Sequence, residues 1–438
     1  MLDYKIQQSN HDEIEKLINP QRTTADKGLR DGFYLDSLLK ILYNYTDNNR
    51  TLITTLQDIQ ISIAGASQKD LEVVNDEDFI FYLFRLVNEH KECSSYSLQI
   101  LSFLATKFPD QSNIFIEEDK IKLYLDILNS TDYYAIKSCK DLVSTLTQLH
   151  PQLFLQFFEF FIPKDTEEVM PSDIKYISSV LELLPQDDEN VMEDLWTFFK
   201  SKTGTDFDLS IKDGVIYILS RAIQLNMKPI IQRYLNDPEY HQKNVLESLF
   251  STLAMHISVA YSVLNSLLFV LPDDFDFENF IPFPRVQVNI STAKSDLCRD
   301  ILIFLSHLLE RAPFLANNFF IKDGLIFNVI DFMSYASFSI QEAACALMSR
   351  LIQVADPSFF ENLDQLKIIS DLINVLDENR QELTEYILTS ITILFFRLPI
   401  ELLRNSLDVD ILLALYDADL SEKSYSMLKS ILTALNLD

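Results

Sequence analysis

Glycine is scarce in this chain, with 6 among 438 residues. The phosphate-binding turns and strand–helix joins of α/β enzymes consume glycine, and so do the tight hairpins of β-sandwiches. Both classes are disfavoured at once. Cysteine is rarer still: the 4 residues form no C-x-x-C pair, which fits a reducing cytosol or nucleus. The opening Met1-Leu2-Asp3-Tyr4-Lys5-Ile6 lacks the basic start and apolar run of a signal peptide. No window approaches the ~18 uninterrupted apolar residues of a membrane span. The densest stretch, Leu153 to Ile162, is broken by Gln156 and Glu159. Positive charge is also short, at 36 Lys+Arg against 65 Asp+Glu, a formal net of −29. Polyanion binding needs clustered Lys and Arg to neutralise phosphates, and no basic stripe exists, so neither nucleic acid nor an anionic membrane is an expected partner.

What is present is apolar mass. Hydrophobic residues make up 48% of the chain, enough to bury a large core and to exclude wholesale disorder. The acid is uneven: residues 151–200 hold 11 acidic and 3 basic groups, whereas 201–250 hold 6 of each. Such an excess keeps a long apolar-cored protein soluble, and it also suits a basic partner.

The informative pattern is an internal repeat. Leu98-Gln99-Ile100-Leu101-Ser102-Phe103-Leu104 ends at Pro109, Cys139 to Leu149 ends before Pro151, and Cys345 to Ala355 ends before Pro357. Each reads as an apolar helix stopped by proline, whose ring removes a donor and crowds the preceding turn. A ladder of prolines at 109, 151, 185, 229, 272, 313, 357 and 399 extends this ruler. The outer rungs share similar sequence after the proline, and the rungs at 185, 229 and 272 sit in different surroundings. A second apolar stretch recurs in each unit: Ile121 to Leu128, Leu325 to Phe332, Leu366 to Leu376 and Val409 to Leu415. Its apolar positions fall at i, i+3, i+4 and i+7, the stripe of a half-buried helix. Only Val286-Gln287-Val288-Asn289-Ile290 alternates as a strand would. Apart from a step of 34 between Pro151 and Pro185, the rungs are 41 to 44 residues apart, the period of helical armadillo and HEAT repeats rather than shorter ones.

Three glycines share one context, Asp31-Gly32, Asp213-Gly214 and Asp323-Gly324, each just before an apolar run. This predicts a repeat junction: a turn tolerant of positive φ with an Asp ready to cap. Ile321-Lys322-Asp323-Gly324-Leu325 followed by Gln341-Glu342-Ala343-Ala344-Cys345-Ala346-Leu347 resembles the armadillo repeat, best over 295–438 and again over 76–160. The resemblance implies an all-α, right-handed α-solenoid of armadillo/HEAT-like repeats of about 42 residues. Residues 1–30 are expected to form a cap or loose lead. The span 31–438 reads as a single solenoid with an irregular middle at 161–294, and loops are expected at 163–174, 185–190, 201–210 and 271–294.

The resemblance also implies a binding face along the third helices, on a concave surface, but not the usual nuclear-import groove. Cys345 stands where importin-α-like armadillo proteins carry Trp, and Ser349, followed by Arg350, stands where they carry Asn. Ser349 and Arg350 remain candidates for partner contact at that position. The other candidate is the stretch from 271 to 294, where Asp273, Asp274, Asp276 and Glu278 are interleaved with Phe275, Phe277, Phe280 and Phe283. Acid beside exposed aromatics suits a partner surface, and the alternative is a loop pinned down by its aromatics.

Chemistry-bearing motifs are lacking: no G-x-x-x-x-G-K-[ST], G-x-G-x-x-G, G-x-S-x-G or H-E-x-x-H occurs. The six histidines never lie within five residues of one another. The four cysteines are expected as small buried hydrophobes, since Cys139 and Cys345 both precede their prolines by 12 residues. No catalytic residue, metal or cofactor is therefore expected. The expected function is a non-enzymatic scaffold or adaptor that binds a protein, a basic or extended peptide included, in the cytoplasm or nucleus. The alternatives are a regulatory subunit or cofactor of a chaperone, phosphatase or kinase and, further off, an enzyme built on a solenoid. Oligomeric state is not legible.

Overall fold

The structure is a computed structural model that describes residues 32–44, 49–163, 168–201, 209–272, 275–293, 295–322, 324–360, 363–376, 380–416, 418 and 420–436. The expected lead at 1–30 and the acidic pair Asp273 and Asp274 lie outside these residues. The chain is an all-α solenoid, with no strand among the described residues. It divides into two compact units, Met1–Ile162 with Met170–Leu183, and Pro163–Val169 with Leu184–Asp438.

Each unit is built on a series of ladder helices, most of which end just ahead of a proline of the ruler. In the first unit these are α1 (Asn49–Gly65), α2 (Ser94–Lys107), α3 (Tyr133–Leu149) and α4 (Pro171–Val180), packed in succession. In the second they are α5 (Leu209–Gln224), α6 (Ala254–Val270), α7 (Ser295–Arg311), α8 (Phe338–Val354), α9 (Gln381–Phe395) and α10 (Glu422–Leu435), again each packed on the next. Pro109 follows α2 and Pro151 follows α3. Pro229, Pro272, Pro313, Pro357 and Pro399 follow α5 to α9 in turn. The irregular inner rungs thus mark the same structural event as the outer ones. A shorter helix precedes most of them and packs on its own ladder helix: Glu77–Glu89 on α2, Glu118–Leu128 on α3, Leu325–Tyr335 on α8, Gln365–Ile373 on α9 and Val409–Tyr416 on α10.

The sequence period becomes a hydrogen-bond register. Ser220 and Ser262 hydroxyls lie 2.7 Å apart at a separation of 42 residues, and the Ser258 hydroxyl donates to Asp300 at 2.8 Å, also 42 residues away. The Ser390 hydroxyl donates to the Ser349 carbonyl at 2.9 Å across 41 residues. In the first unit Gln60 donates to Gln99 at 2.6 Å across 39 residues, and Ser95 meets Ser138 at 2.9 Å across 43. Equivalent turns of successive helices lie side by side, so polar side chains one period apart satisfy each other where the helices meet. Between these bonds the helices bury aliphatic residues, among them Leu142, Leu146, Leu305 and Leu351, all fully enclosed. All four cysteines are free and buried, filling close helix approaches.

The junction glycines divide. Gly324 has φ of 76° and caps the helix Leu325–Tyr335, as the turn reading requires. Gly214 lies inside α5 instead, because Asp213 is drawn into the packing rather than left to cap. Other expectations are corrected too. Val286–Ile290 is helical, within Phe283–Thr292, since Val286, Asn289 and Ile290 all face the core at helical spacing. The loop expected at 163–174 gives way to α4 from Pro171, which sits at N1 where its missing N–H is harmless. The stretch 271–294 likewise carries two helices, Phe277–Phe280 and Phe283–Thr292. At Gly324 an added Cβ would meet only the Phe327 ring, at 3.8 Å. Gly324→Ala should therefore cost about 1 kcal/mol, from backbone strain alone, in a urea-unfolding measurement.

Candidate functional site

Four successive ladder helices of the second unit share one strip of polar and aromatic side chains. On α6, Phe269 is 62% exposed, and its ring stands edge-on to His307 of α7 with centroids 5.1 Å apart. His307 Nδ1 lies 2.7 Å from Asn265 Oδ1, and since that oxygen only accepts, Nδ1 carries the hydrogen. Burial pushes the His307 pKa below its ordinary value. The carboxylates of Glu310 and Glu382 oppose that shift, and the Arg350 guanidinium reinforces it. Arg350 of α8 donates to Glu310 at 2.9 Å, and its guanidinium lies 3.8 Å from the Tyr386 ring centroid of α9. A guanidinium stacked on an aromatic face and paired with a carboxylate is held in one orientation. Glu382, one turn before Tyr386, is exposed.

Arg350, singled out in the sequence, thus belongs to this strip. Ser349 does not: it is fully buried, and its carbonyl accepts from Ser390, so the helix turns it inward against α9. Phe269, His307 and Tyr386 carried no local motif. The signal that could have found them is the repeat itself, since Asn265 and His307 are 42 residues apart.

The second candidate, the acidic and aromatic stretch, is pinned down. Phe277 is 1% exposed and Phe283 is also buried, which agrees with the alternative of a loop pinned down by its aromatics and not with rings offered to a partner. Phe280 stacks on His241 with centroids 4.1 Å apart and planes 13° apart, and Phe275 stands edge-on to Phe277 and Phe280. Asp276 is committed as a cap: its carboxylate accepts from the Asn279 backbone N–H at 3.2 Å and from the Asn279 side chain at 2.6 Å. Those bonds hold its pKa below the usual carboxylate value. Glu278 remains exposed.

Two buried polar constellations were not legible in the sequence. In the second unit Asp213 of α5 bonds His256 Nδ1 of α6, with both residues 5% exposed. The pairing has the orientation of an acid–base dyad, but Asp213 Oδ2 and His256 Nε2 are both sealed from solvent. A general base must reach the proton it takes, so this pair clamps two helices rather than serving a substrate. In the first unit Lys140 of α3 lies 3.2 Å from Asp173 of α4, again in the interior. A shallow groove of about 360 Å³ lies between Glu77–Glu89 and Glu118–Leu128, lined by Phe81, Phe84, Arg85 and Lys120 among others. Its inner cation, Lys120, is already met by Asp119 and by Glu117 at 3.6 Å. Among the described residues no cluster of three or more His, Cys, Asp or Glu side chains could hold a metal ion. No described helix is long and apolar enough to cross a membrane.

Among solved structures, an engineered protein is similar over 92% of this chain and 98% of its own, with a TM-score of 0.67 and 12% identity. Kap95p, in a structure describing how its binding switches the loops of RanGDP, is similar over 98% of this chain at a TM-score of 0.57 and 10% identity. The chain has an armadillo/HEAT-like helical-repeat fold. It spans 66% of the Kap95p chain. It also matches 45% of Kap121p bound to RanGTP, at a TM-score of 0.48 and 14% identity. No protein-family model and no curated protein matches the sequence.

Proposed function

We propose that the protein is a non-enzymatic interaction scaffold, and that the ladder-helix face of its second unit takes a basic, extended segment of a protein partner. The observation that carries this reading is the strip from Phe269 to Tyr386. It offers one exposed aromatic ring beside polar groups already fixed by their neighbours, on four parallel helices in register. Preorganised aromatic and Arg groups are what a recognition surface needs, because little side-chain entropy is lost on binding. The exposed carboxylate of Glu382, the half-exposed Glu310 and a net charge of −29 favour a cationic partner. Neither the buried Asp213–His256 pair nor the charge-balanced groove supports a catalytic reading. The Kap95p structure, by its own description, concerns nuclear import complex assembly, a protein-binding task on the same fold.

Phe269→Ala combined with Glu382→Gln alters exposed side chains only. Capture of partners from native lysate should fall at least about fivefold with this variant, from loss of one aromatic anchor and one charge, while the melting temperature stays unchanged. Equal capture by the variant and the wild type would refute the assignment of this face.

A further inference from the structure

We infer that His307 makes the second unit's ladder face a proton-regulated site, at which a proton on the imidazole competes with a cationic side chain of the bound partner. This rests on the scaffold reading given above.

The geometry carries the inference. His307 lies within the strip, its ring against the exposed ring of Phe269 and within electrostatic reach of the carboxylates of Glu310 and Glu382. From α6 it meets Asn265 and Phe269. From its own helix the charged neighbour is Glu310, from α8 it is Arg350, and from α9 it is Glu382. A lysine or arginine of a partner attracted to Glu310 and Glu382 therefore arrives beside the imidazole. With a neutral ring, Arg350 is the single positive charge among these neighbours, and it is occupied by Glu310 and Tyr386. With a protonated ring a second positive charge stands among the same carboxylates. It offsets the acid that draws the partner and repels the incoming cation.

The sign follows. Burial favours the neutral imidazole, so the binding-competent form prevails at pH 7.5 and is depleted as the pH falls below the ordinary histidine range. With the full dielectric of water between them, two unit charges some 7 Å apart interact by enough to change an affinity about threefold. Linkage requires reciprocity: if protonation weakens the partner by that factor, the partner must lower the His307 titration midpoint by about half a pH unit.

The test uses the full chain and a hexa-arginine peptide as probe. Calorimetry should give binding weaker at pH 5.5 than at pH 7.5 for the wild type, by up to about threefold, with the two pH values giving equal affinity for His307→Gln. In parallel, the imidazole Hε1 resonance of His307 should titrate at lower pH when the peptide is saturating. If Phe269→Ala with Glu382→Gln weakens the peptide but His307→Gln keeps the wild-type pH dependence, the proton switch is overturned and the scaffold reading stands. An unmoved His307 midpoint in the saturated complex overturns it equally. If the peptide binds neither the wild type nor the variants, or binds all of them alike, both readings fall together.

Discussion

Lys140→Met should destabilise the first unit by about 3–5 kcal/mol, the usual consequence of leaving a buried charge without its partner. Lys140 and Asp173 side chains are 8% and 1% exposed, with Nζ 3.2 Å from Oδ1. The second carboxylate oxygen of Asp173 accepts the Met170 N–H at 2.8 Å, just ahead of Pro171, so the same side chain opens α4. The Lys140 ammonium also lies 5.4 Å from the Phe161 ring centroid, where the π-face assists the carboxylate. Methionine fills the stem volume and keeps the packing, but Asp173 then stays in the interior without the Lys140 charge. Adding Asp173→Asn should recover most of the loss, since the amide oxygen can still accept from Met170 while the charge is gone. Urea unfolding followed by circular dichroism would resolve the two variants. A loss under about 1 kcal/mol for the single variant would mean that water reaches the pair. A double variant less stable than the single one would mean that the carboxylate acts through α4 alone.

That ion pair illustrates what the sequence conceals. Periodicity and proline placement made the helices legible, because both are local: a stripe at helical spacing and a ring that ends it. The inner rungs at 185, 229 and 272 looked irregular because the segments after them differ. The helix Glu189–Lys200 follows Pro185, a π-helical turn, His241–Leu246, comes after Pro229, and the helices Phe277–Phe280 and Phe283–Thr292 follow Pro272. The polar pairs are non-local. Lys140 and Asp173 are 33 residues apart, and Asp213 and His256 are 43 apart, so no window holds both partners. The repeat length was nevertheless in hand, and adding it to a helix-face polar residue such as Asn265 reaches His307. The acidic stretch left two readings open for a different reason. Interleaved Asp, Glu and Phe look alike whether the rings face solvent or core, and here Phe277 packs on Phe275, Phe275 on Phe280, and Phe280 on His241, which lies outside the stretch.

His241 supplies the second large effect, one that depends on pH. It is 7% exposed, its Nδ1 is paired with the Tyr234 hydroxyl, and its ring is covered by Phe280. Burial lowers its pKa from the ordinary 6.5 to about 4. A folded value below the unfolded one means that the unfolded chain takes up the proton first. The full stability is therefore present above about pH 6.5 and is lost progressively as the pH falls to about 4, by roughly 3 kcal/mol in all. Carboxylates titrate in the lower part of this window as well, so the wild-type curve alone cannot isolate the histidine. His241→Phe can. Phenylalanine keeps the stack on Phe280 and has no proton to gain, while the unpartnered Tyr234 hydroxyl adds a penalty that is constant across this range. The single tryptophan, Trp196, reports on the same unit, since its ring lies 5.3 Å from that of Tyr240, the residue preceding His241. Urea unfolding monitored by its fluorescence should show the variant gaining on the wild type by about 3 kcal/mol between pH 7 and pH 4. Parallel pH profiles for the two proteins would show instead that the imidazole takes up its proton in place, and that the stack over His241 opens to water without unfolding the unit.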